Sequence, residues 1–310
     1  ICYNMDKVIN LGIPHVGERI FKRIKTPGLV NCLEVSQTWN VLAGNVLIKR
    51  WKGKMFEACQ KGETKVVQFL LEHCNPEESG LNVKDEYEQT AFMAACNFGH
   101  KDVVQLLLSC SDKNIDLNAR NNNGGTAFKM ACTNGYKDIV RLLLHHSDRI
   151  DLNARDNTGI TAFITACSNG QIDVVKLLLN HSERIDLNAK DTHGLTALMI
   201  ACRNGHKDVV QWLLEHSERI ELNAKANNGW TAFMTACFTG HKDIVQLLLD
   251  NSERIELNAR ANNGYTALIL ACWEGHKYIV KLLLEQSVID ISGYEDLPQE
   301  MIDFIESYQL

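Results

Sequence analysis

The feature that most constrains this chain is a segment that recurs along most of its length. The stretch Thr231–Leu249 reads TAFMTACFTGHKDIVQLLL, and a degenerate copy spans Met55–Leu71. Close copies begin at Thr90, Thr126, Thr161, Thr196 and Thr266. Successive copies begin about 35 residues apart, a period typical of solenoids, in which each unit buries its apolar face only by stacking on its neighbours. The sequence therefore predicts a stack of helical-pair repeats that presents a concave face to another protein.

Each unit predicts two short helices joined by a turn. The side-chain oxygen of a Thr such as Thr231 can cap the first helix, and the small residues in Ala232–Cys237 allow neighbouring helices to pack closely. Gly240 stands where a left-handed residue ends that helix. The second helix carries the apolar stripe Ile244–Leu249. The linker that follows ends near Asn-Asn-Gly, a turn signal that predicts a hairpin-like finger.

Cysteine usage indicates a reducing compartment. Seven of the eleven cysteines occupy one repeat position, namely Cys59, Cys96, Cys132, Cys167, Cys202, Cys237 and Cys272. Equivalent positions of stacked repeats are buried side by side, where a free Cys acts as a small hydrophobe. The chain has no Cys-x-x-Cys pair, so zinc has little support. We expect reduced thiols, no metal, no cofactor and a cytoplasmic location, with the nucleus as an alternative.

The repeated residues resemble the ankyrin repeat, whose pattern reads roughly D-x-x-G-x-T-P-L-H-x-A-A-x-x-G-H-x-x-V-V-x-x-L-L. The resemblance covers about Trp51 to Gln286, or residues 51–286, in about seven units, of which the first is degenerate. The family's Thr-Pro-Leu-His reads Thr-Ala-Phe or Thr-Ala-Leu here, and the linker is longer. The resemblance implies an all-α solenoid of helix-turn-helix units with hairpin-like fingers, longer loops and a slightly frayed first helical turn. A generic two-helix solenoid is the alternative, which the Asn-Asn-Gly fingers disfavour.

The candidate partner-binding residues are those at which the copies differ from one another. In ankyrin proteins the finger tips and the first helices usually meet the partner, so by resemblance we expect these residues on the concave face. They include Trp230, Phe238, Tyr265, Trp273, Leu195 and Arg203. The four aromatic residues form one patch if they share that face, and exposed aromatic clusters usually mark interfaces. The alternative is that some of them pack against their own fingers or the C-terminal segment.

A row of basic residues, one in each finger, has two interpretations. The row consists of Arg120, Arg155, Lys190, Lys225 and Arg260. Taken alone, such a row is typical of a site for an acidic ligand. An acidic residue precedes each of them in the linker, however, namely Asp116, Asp151, Asp186, Glu221 and Glu256. We therefore favour a solvated face of mixed charge.

The segment before the repeats, residues 10–50, resembles an F-box, whose pattern reads L-P-x-E-V-L-x-x-I-F-x-x-L-x-x-x-D-L-x-x-x-x-x-V-C-x-x-W. The matching positions are Pro14, Val16, Ile20, Phe21, Ile24, Leu29, Val35 and Trp39. The box departs from the pattern at Ile13, Gly28 and Ser36, and one residue is missing between Pro14 and Val16. The resemblance implies docking on the Skp-type adaptor of an SCF cullin-RING ubiquitin ligase. The alternative is a helical cap that shields the first repeat.

The two ends of the chain lie outside these segments. Residues 1–9 form an N-terminal tail in this division. Residues 287–310 leave the repeat, and the apolar positions Met301, Ile302 and Ile305 predict a helix that caps the last unit, since solenoid ends need covering. The alternative is a truncated chain, because Leu297-Pro298-Gln299-Glu300-Met301 also looks like the opening of an F-box.

The function that these features predict is substrate recognition for an SCF-type ubiquitin ligase. The box would dock the Skp-type adaptor and the repeats would bind a target protein. The alternative is an ankyrin scaffold or inhibitor that acts without a ligase. The net charge of −6 argues against nucleic acid or an anionic membrane as a partner. The chain carries no nucleophile elbow or phosphate loop, so we expect no enzymatic activity.

Overall fold

The computed structural model describes residues 22, 25, 54–74, 79–110, 114–216, 218–292 and 297–309. These residues fall into two compact units, Ile1–Asn122 and Asn123–Leu310. The helices of the first unit are α1 (Met55–Lys61), α2 (Thr64–His73), α3 (Ala91–Asn97) and α4 (Lys101–Ser109). The described part of the chain contains helices and no strand, so the all-α prediction is confirmed.

The described residues of the second unit form five helical pairs and one further helix. The first helices of the pairs are α5 (Ala127–Thr133), α7 (Ala162–Ser168), α9 (Ala197–Arg203), α11 (Ala232–Thr239) and α13 (Ala267–Trp273). The second helices are α6 (Lys137–His145), α8 (Ile172–Leu179), α10 (Lys207–Glu215), α12 (Lys242–Leu249) and α14 (Lys277–Leu284). The C-terminal helix is α15 (Gln299–Gln309).

The helices of the second unit stack in register. Each first helix packs on the first helix of the next pair, each second helix on the next second helix, and the two helices of a pair on each other. The first helices approach each other most closely because their contact face is made of small residues such as Ala236 and Cys237, both fully buried. Helix α15 packs on α14, with Met301 and Ile305 buried.

A threonine caps every first helix from α3 onwards. In α11 the Thr231 side chain accepts a hydrogen bond from the backbone N–H of Met234, at 3.3 Å, and Thr231 is itself buried. The same bond forms in the other capped helices, each of which begins at the residue after its Thr. The first turn is therefore formed and not frayed, because the Thr oxygen satisfies one of the backbone donors that have no partner within the helix.

A histidine links each of three successive pairs in the second unit to the pair before it. His241 Nε2 donates to the Arg203 carbonyl at 2.9 Å, and His276 Nε2 donates to the Phe238 carbonyl at 3.0 Å. The imidazole lies against the left-handed glycine that ends the preceding first helix. At Gly240, whose φ is 79°, a Cβ atom would come within 2.7 Å of the His276 ring. That position therefore requires glycine both for its backbone conformation and for the room it leaves.

The fingers of the second unit are closed loops that are tied to one another by backbone hydrogen bonds. Within the finger that precedes α11, the Ala226 N–H donates to the Trp230 carbonyl at 2.9 Å. Between fingers, the Asn227 N–H donates to the His193 carbonyl and the Asn262 N–H to the Asn228 carbonyl, each at 3.0 Å. Because one such bond joins each finger to the next, the fingers keep a fixed spacing.

The basic row of the fingers takes part in the same inter-repeat bonding. Lys190 Nζ donates to the Lys225 carbonyl at 3.1 Å, and Lys225 Nζ donates to the Arg260 carbonyl at 3.4 Å. Arg260 forms an ion pair with Asp290 at 2.7 Å. The acidic linker residues instead hold their own loops, as when Asp186 Oδ1 accepts from the Asn188 N–H. The basic side chains thus serve the neighbouring finger, and an acidic-ligand site is not needed to explain them.

One ion pair joins two repeats at a poorly exposed position. Lys129 of α5 contacts Asp156 of the following finger, with the two side chains 17% and 10% exposed. The other oxygen of Asp156 accepts hydrogen bonds from Thr158 and from the Ile160 N–H. Burial acts to raise the pKa of Asp156, but the hydrogen bonds from Lys129, Thr158 and Ile160 outweigh burial and hold this pKa below its ordinary value.

We predict that Asp156→Asn lowers the free energy of unfolding by about 2 kcal/mol at pH 7, because it leaves the Lys129 ammonium without a counter-charge. The depressed pKa means that the carboxylate stabilises the fold above its unfolded pKa of about 4 and loses this effect as the pH falls through the folded value. Urea unfolding from pH 7 to pH 3 should therefore show the difference between wild type and variant shrinking in acid.

The control for this experiment is the double variant Lys129→Met/Asp156→Asn. Three of the other capped first helices carry Met at the position of Lys129, namely Met93, Met199 and Met234. Removing both charges should restore part of the lost stability. Equal destabilisation of the single and double variants, or a difference that does not change with pH, would contradict the role assigned to the pair.

Candidate functional site

A groove opens on the first-helix and finger side of the second unit, between the pairs that begin with α9 and α11. Its cavity volume is about 460 Å³. The residues that line it are His193, Leu195, Arg203, Ala226, Asn227, Asn228, Trp230, Thr235, Phe238 and Thr239. A volume of this size lies in the range of clefts that hold a ligand or a protruding side chain. Four of the six residues that the sequence predicts for partner binding therefore line one groove.

The apolar wall of the groove is an aromatic pair. The rings of Trp230 and Phe238 meet edge to face, with their centroids 4.8 Å apart and their planes at 63°. Both side chains are half-buried, as is that of Leu195 on the preceding finger. Edge-to-face packing holds the two rings in fixed positions without covering them. The pair thus offers a rigid apolar surface that remains in contact with solvent.

Local hydrogen bonds hold the tryptophan at the base of its finger. The Trp230 N–H donates to the Asn228 side-chain oxygen at 3.0 Å, and its carbonyl accepts from the Ala226 N–H. Behind the rings, the Thr239 hydroxyl donates to the Thr235 carbonyl at 2.9 Å and the Thr235 hydroxyl to the Thr231 carbonyl. These polar groups serve the backbone of the repeat, so the inner wall presents no unsatisfied hydroxyl donor to a ligand.

At the groove, an alanine stands at a finger position that carries aspartate in other repeats. Asp156 and Asp191 occupy the equivalent position in the two preceding fingers, where one carboxylate oxygen accepts two backbone N–H groups of the same finger. Ala226 has no such side chain, and Asn228 bonds the finger in its place. Ala226 and Trp230 both line the groove.

The charge of the groove is positive. Arg203, at the C-terminal end of α9, is exposed, and its guanidinium forms no ion pair within the described ranges. No carboxylate is among the lining residues. The Arg203 backbone is fixed by the bond from His241. The groove thus combines an apolar wall with a single cationic side chain at its edge.

The two remaining candidates on the repeats lie outside this groove. Tyr265 and Trp273 belong to the finger and first helix of the next pair, where they are 37% and 47% exposed. In the part of the chain that the structure describes, neither ring contacts another aromatic ring. Their contact with a partner stays a prediction.

The F-box-like residues lie outside the described residues. They are Pro14, Val16, Ile20, Phe21, Ile24, Leu29, Val35 and Trp39. Their role therefore rests on the sequence alone.

Sequence reasoning missed two residues that line the groove, Ala226 and Asn228. Ala226 and Asn228 carry no chemistry that attracts notice, and their importance lies in what they replace. The signal that could have found them is the aspartate at the same finger position in Asp85, Asp156 and Asp191, which is lost at Ala226 and again at Ala261.

The repeated cysteines are buried residues of the helical core. Cys96, Cys167, Cys202 and Cys237 are free and fully buried, and burial raises the pKa of each thiol. Burial raises the pKa of Cys59 and of Cys272 to about 12. A thiol in this state carries almost no nucleophilic thiolate at neutral pH. Among the described residues, no group of three or more His, Cys, Asp or Glu is placed to hold a metal ion, and no helix could span a membrane.

Comparison with known proteins identifies the repeat. The family profile for ankyrin repeats, in three copies, matches residues 55–156, 148–226 and 218–293. Among solved structures, the chain is similar to the ankyrin repeat domain of Bcl-3, described as a unique member of the IkappaB protein family. The two share 25% sequence identity with a TM-score of 0.63, over 74% of this chain and 96% of that domain. No curated protein matches the chain significantly.

Proposed function

The chain belongs to the ankyrin-repeat family, and on that premise we propose that its second unit holds a target protein at the groove between α9 and α11. Ankyrin repeats are protein-interaction modules, typically without enzymatic activity. The observation that supports this site is the half-buried, edge-to-face pair of Trp230 and Phe238 beside Arg203. Aromatic residues and arginine are the types most often found at the energetic centre of interfaces.

The groove would bind by accepting a protruding side chain of the target. Its wall is pre-organised, because Trp230 is held by backbone bonds on both sides and Phe238 lies on a helix. A partner that meets a rigid surface loses less conformational entropy in binding than one that must order it. The exposed Tyr265 and Trp273 of the next pair extend the proposed contact surface beyond the groove.

We further propose that the target is brought to a ubiquitin ligase. The support is the spacing of the F-box-like residues, of which Pro14, Ile20 and Trp39 are examples. In this role the N-terminal segment docks the Skp-type adaptor of an SCF-type cullin-RING ligase, and the repeats select the substrate. The chain contributes proximity, since it raises the effective concentration of a substrate lysine near the conjugating enzyme. Such a protein would work in the cytoplasm or the nucleus.

The second candidate function is a scaffold or inhibitor that acts through the repeats without a ligase. The observation that favours it is the similarity to the Bcl-3 repeat domain, which covers 96% of that domain. Both candidates use the same groove and differ in the role of residues 10–50. Adaptor binding therefore separates them.

We predict that Trp230→Ala weakens binding of the captured target about 30-fold, the loss expected when an interface hot spot worth about 2 kcal/mol is removed. The measurement compares target binding by the full-length wild type, Trp230→Ala, Trp273→Ala and a control. Tyr278→Ala is the matched control, because Tyr278 is an exposed aromatic residue on α14 that does not line the groove. Unchanged binding by a folded Trp230→Ala variant would remove the groove from the proposal.

We predict that the intact chain co-purifies with the Skp-type adaptor, and that Pro14→Ala/Ile20→Ala abolishes this association while leaving target binding unchanged. The two functions separate because the box and the groove are different parts of the chain. Co-expression followed by size-exclusion chromatography measures the association. If the intact chain fails to bind any Skp-type adaptor, the ligase role is wrong and the scaffold role stands.

A further inference from the structure

We infer that the groove selects a target segment in which a bulky apolar side chain lies close to a carboxylate. The apolar side chain packs on Trp230 and Phe238, and the carboxylate pairs with Arg203. This inference rests on the proposed function and adds the chemistry of the ligand to it.

The apolar half of the ligand follows from the shape and lining of the groove. Trp230, Phe238 and Leu195 each expose part of a side chain to one cavity of about 460 Å³. A bulky side chain that enters this cavity removes the exposed parts of all three from water. The edge-to-face arrangement of the two rings leaves room for a further ring or a branched aliphatic group to pack against them.

The acidic part of the ligand follows from the hydrogen bonds that the polar side chains of the groove already form within the repeats. Asn227 Nδ2 donates to the Thr192 carbonyl at 3.0 Å, and Asn228 Oδ1 accepts from the Trp230 N–H. The hydroxyl protons of Thr235 and Thr239 are also committed to backbone carbonyls. The lining also includes the exposed imidazole of His193, but Arg203 is the lining side chain that carries a full positive charge, and its guanidinium forms no ion pair in the described part of the chain. A guanidinium fork matches carboxylates and phosphates, and of these a carboxylate is the group that an unmodified protein segment carries.

The neighbouring basic residues do not supply this charge. Lys190 and Lys225 do not line the groove, and their ammonium groups donate to carbonyls of the next finger. At the helix position of Arg203, the other pairs of the second unit carry neutral residues, namely Thr133, Ser168, Phe238 and Trp273. The positive charge on this row of first helices therefore belongs to the same pair of repeats as the groove, and it lies at the edge of the aromatic wall.

A selection from a random-peptide library on the full-length protein tests this inference. We expect the enriched peptides to carry an aromatic or large aliphatic residue with an Asp or Glu close to it. On Arg203→Glu, the same selection should enrich Lys or Arg in place of the acidic residue. Lys207→Glu is the matched control, since it makes the same charge change on α10 of the same pair without lining the groove, and it should keep the wild-type preference.

A second measurement uses one enriched peptide and its copy with Gln in place of Glu. Fluorescence anisotropy should show that Glu→Gln weakens binding to the wild type about threefold, the scale of an exposed ion pair. The same change should have no effect on Arg203→Gln. Arg203→Glu should bind the acidic peptide about tenfold more weakly than the wild type.

The possible results separate this inference from the function on which it rests. Peptides that need Trp230 but show no acidic preference, or acidic peptides that bind Arg203→Glu as well as the wild type, would overturn the inference and leave the groove as the binding site. Enrichment that is the same on Trp230→Ala/Phe238→Ala as on the wild type, or no enrichment on any of the proteins, would contradict both.

Discussion

The contact between consecutive first helices is the interaction on which the rest of the second unit depends. Small side chains such as Ala236 and Cys237 are fully buried there, and they let each helix approach the next closely. The histidine-to-carbonyl bonds and the bonds between fingers then fix one pair of helices against the next. Because the contacts between first helices and the bonds between fingers recur from pair to pair, side chains at the same repeat position form rows. Positions that carry the same residue in every pair stabilise the stack, whereas positions whose residue varies are available for binding.

We propose that recognition in this chain arises where one unit departs from the others. In this proposal the loss of the finger aspartate at Ala226 leaves room for the groove, to which the aromatic residues Trp230 and Phe238 give an apolar wall. Arg203, one pair earlier, adds a charge. A different departure, Lys129, produces an ion pair with Asp156 inside the stack and has no exposed consequence. In this account the same kind of variation serves stability at Lys129 and recognition at the groove, depending on what the neighbouring finger supplies.

Much of the fold can be predicted from the sequence because local signals agree with the repeat. The capping threonines, the glycine between the helices and the Asn-Asn-Gly turns each determine the conformation of a short piece of backbone. The repeat period then indicates how these pieces stack. The first helical turn was the exception, because the loss of the family's proline indicated fraying while the Thr caps are formed. A cap is a single side-chain hydrogen bond, and a sequence pattern does not show whether that bond is enough to keep the first turn helical.

The candidate site could be predicted only in part. Self-variation among the copies identified Leu195, Arg203, Trp230 and Phe238, which the structure brings together. It could not show that Tyr265 and Trp273 lie outside the groove, because their finger carries Ala261 at the position of Ala226, and only the packed structure shows which of the two repeats has a cavity. The sequence also did not reveal the ion pair between Lys129 and Asp156 of adjacent repeats. The two residues are far apart in sequence, and only Lys129 differs in type from the residues at the same position of the other repeats.

The most direct test of this account is to restore the missing side chain. Ala226→Asp should hydrogen-bond its own finger as Asp191 does, place a carboxylate in the groove beside Arg203, and weaken target binding at least about tenfold without loss of stability. Ala261→Asp makes the same change in the next finger, outside the groove lining, and should bind the target as the wild type does. The binding affinity of each of the three proteins is measured by titration with the captured target. Undiminished binding by a stable Ala226→Asp variant would contradict the claim that this departure from the repeat creates the binding site.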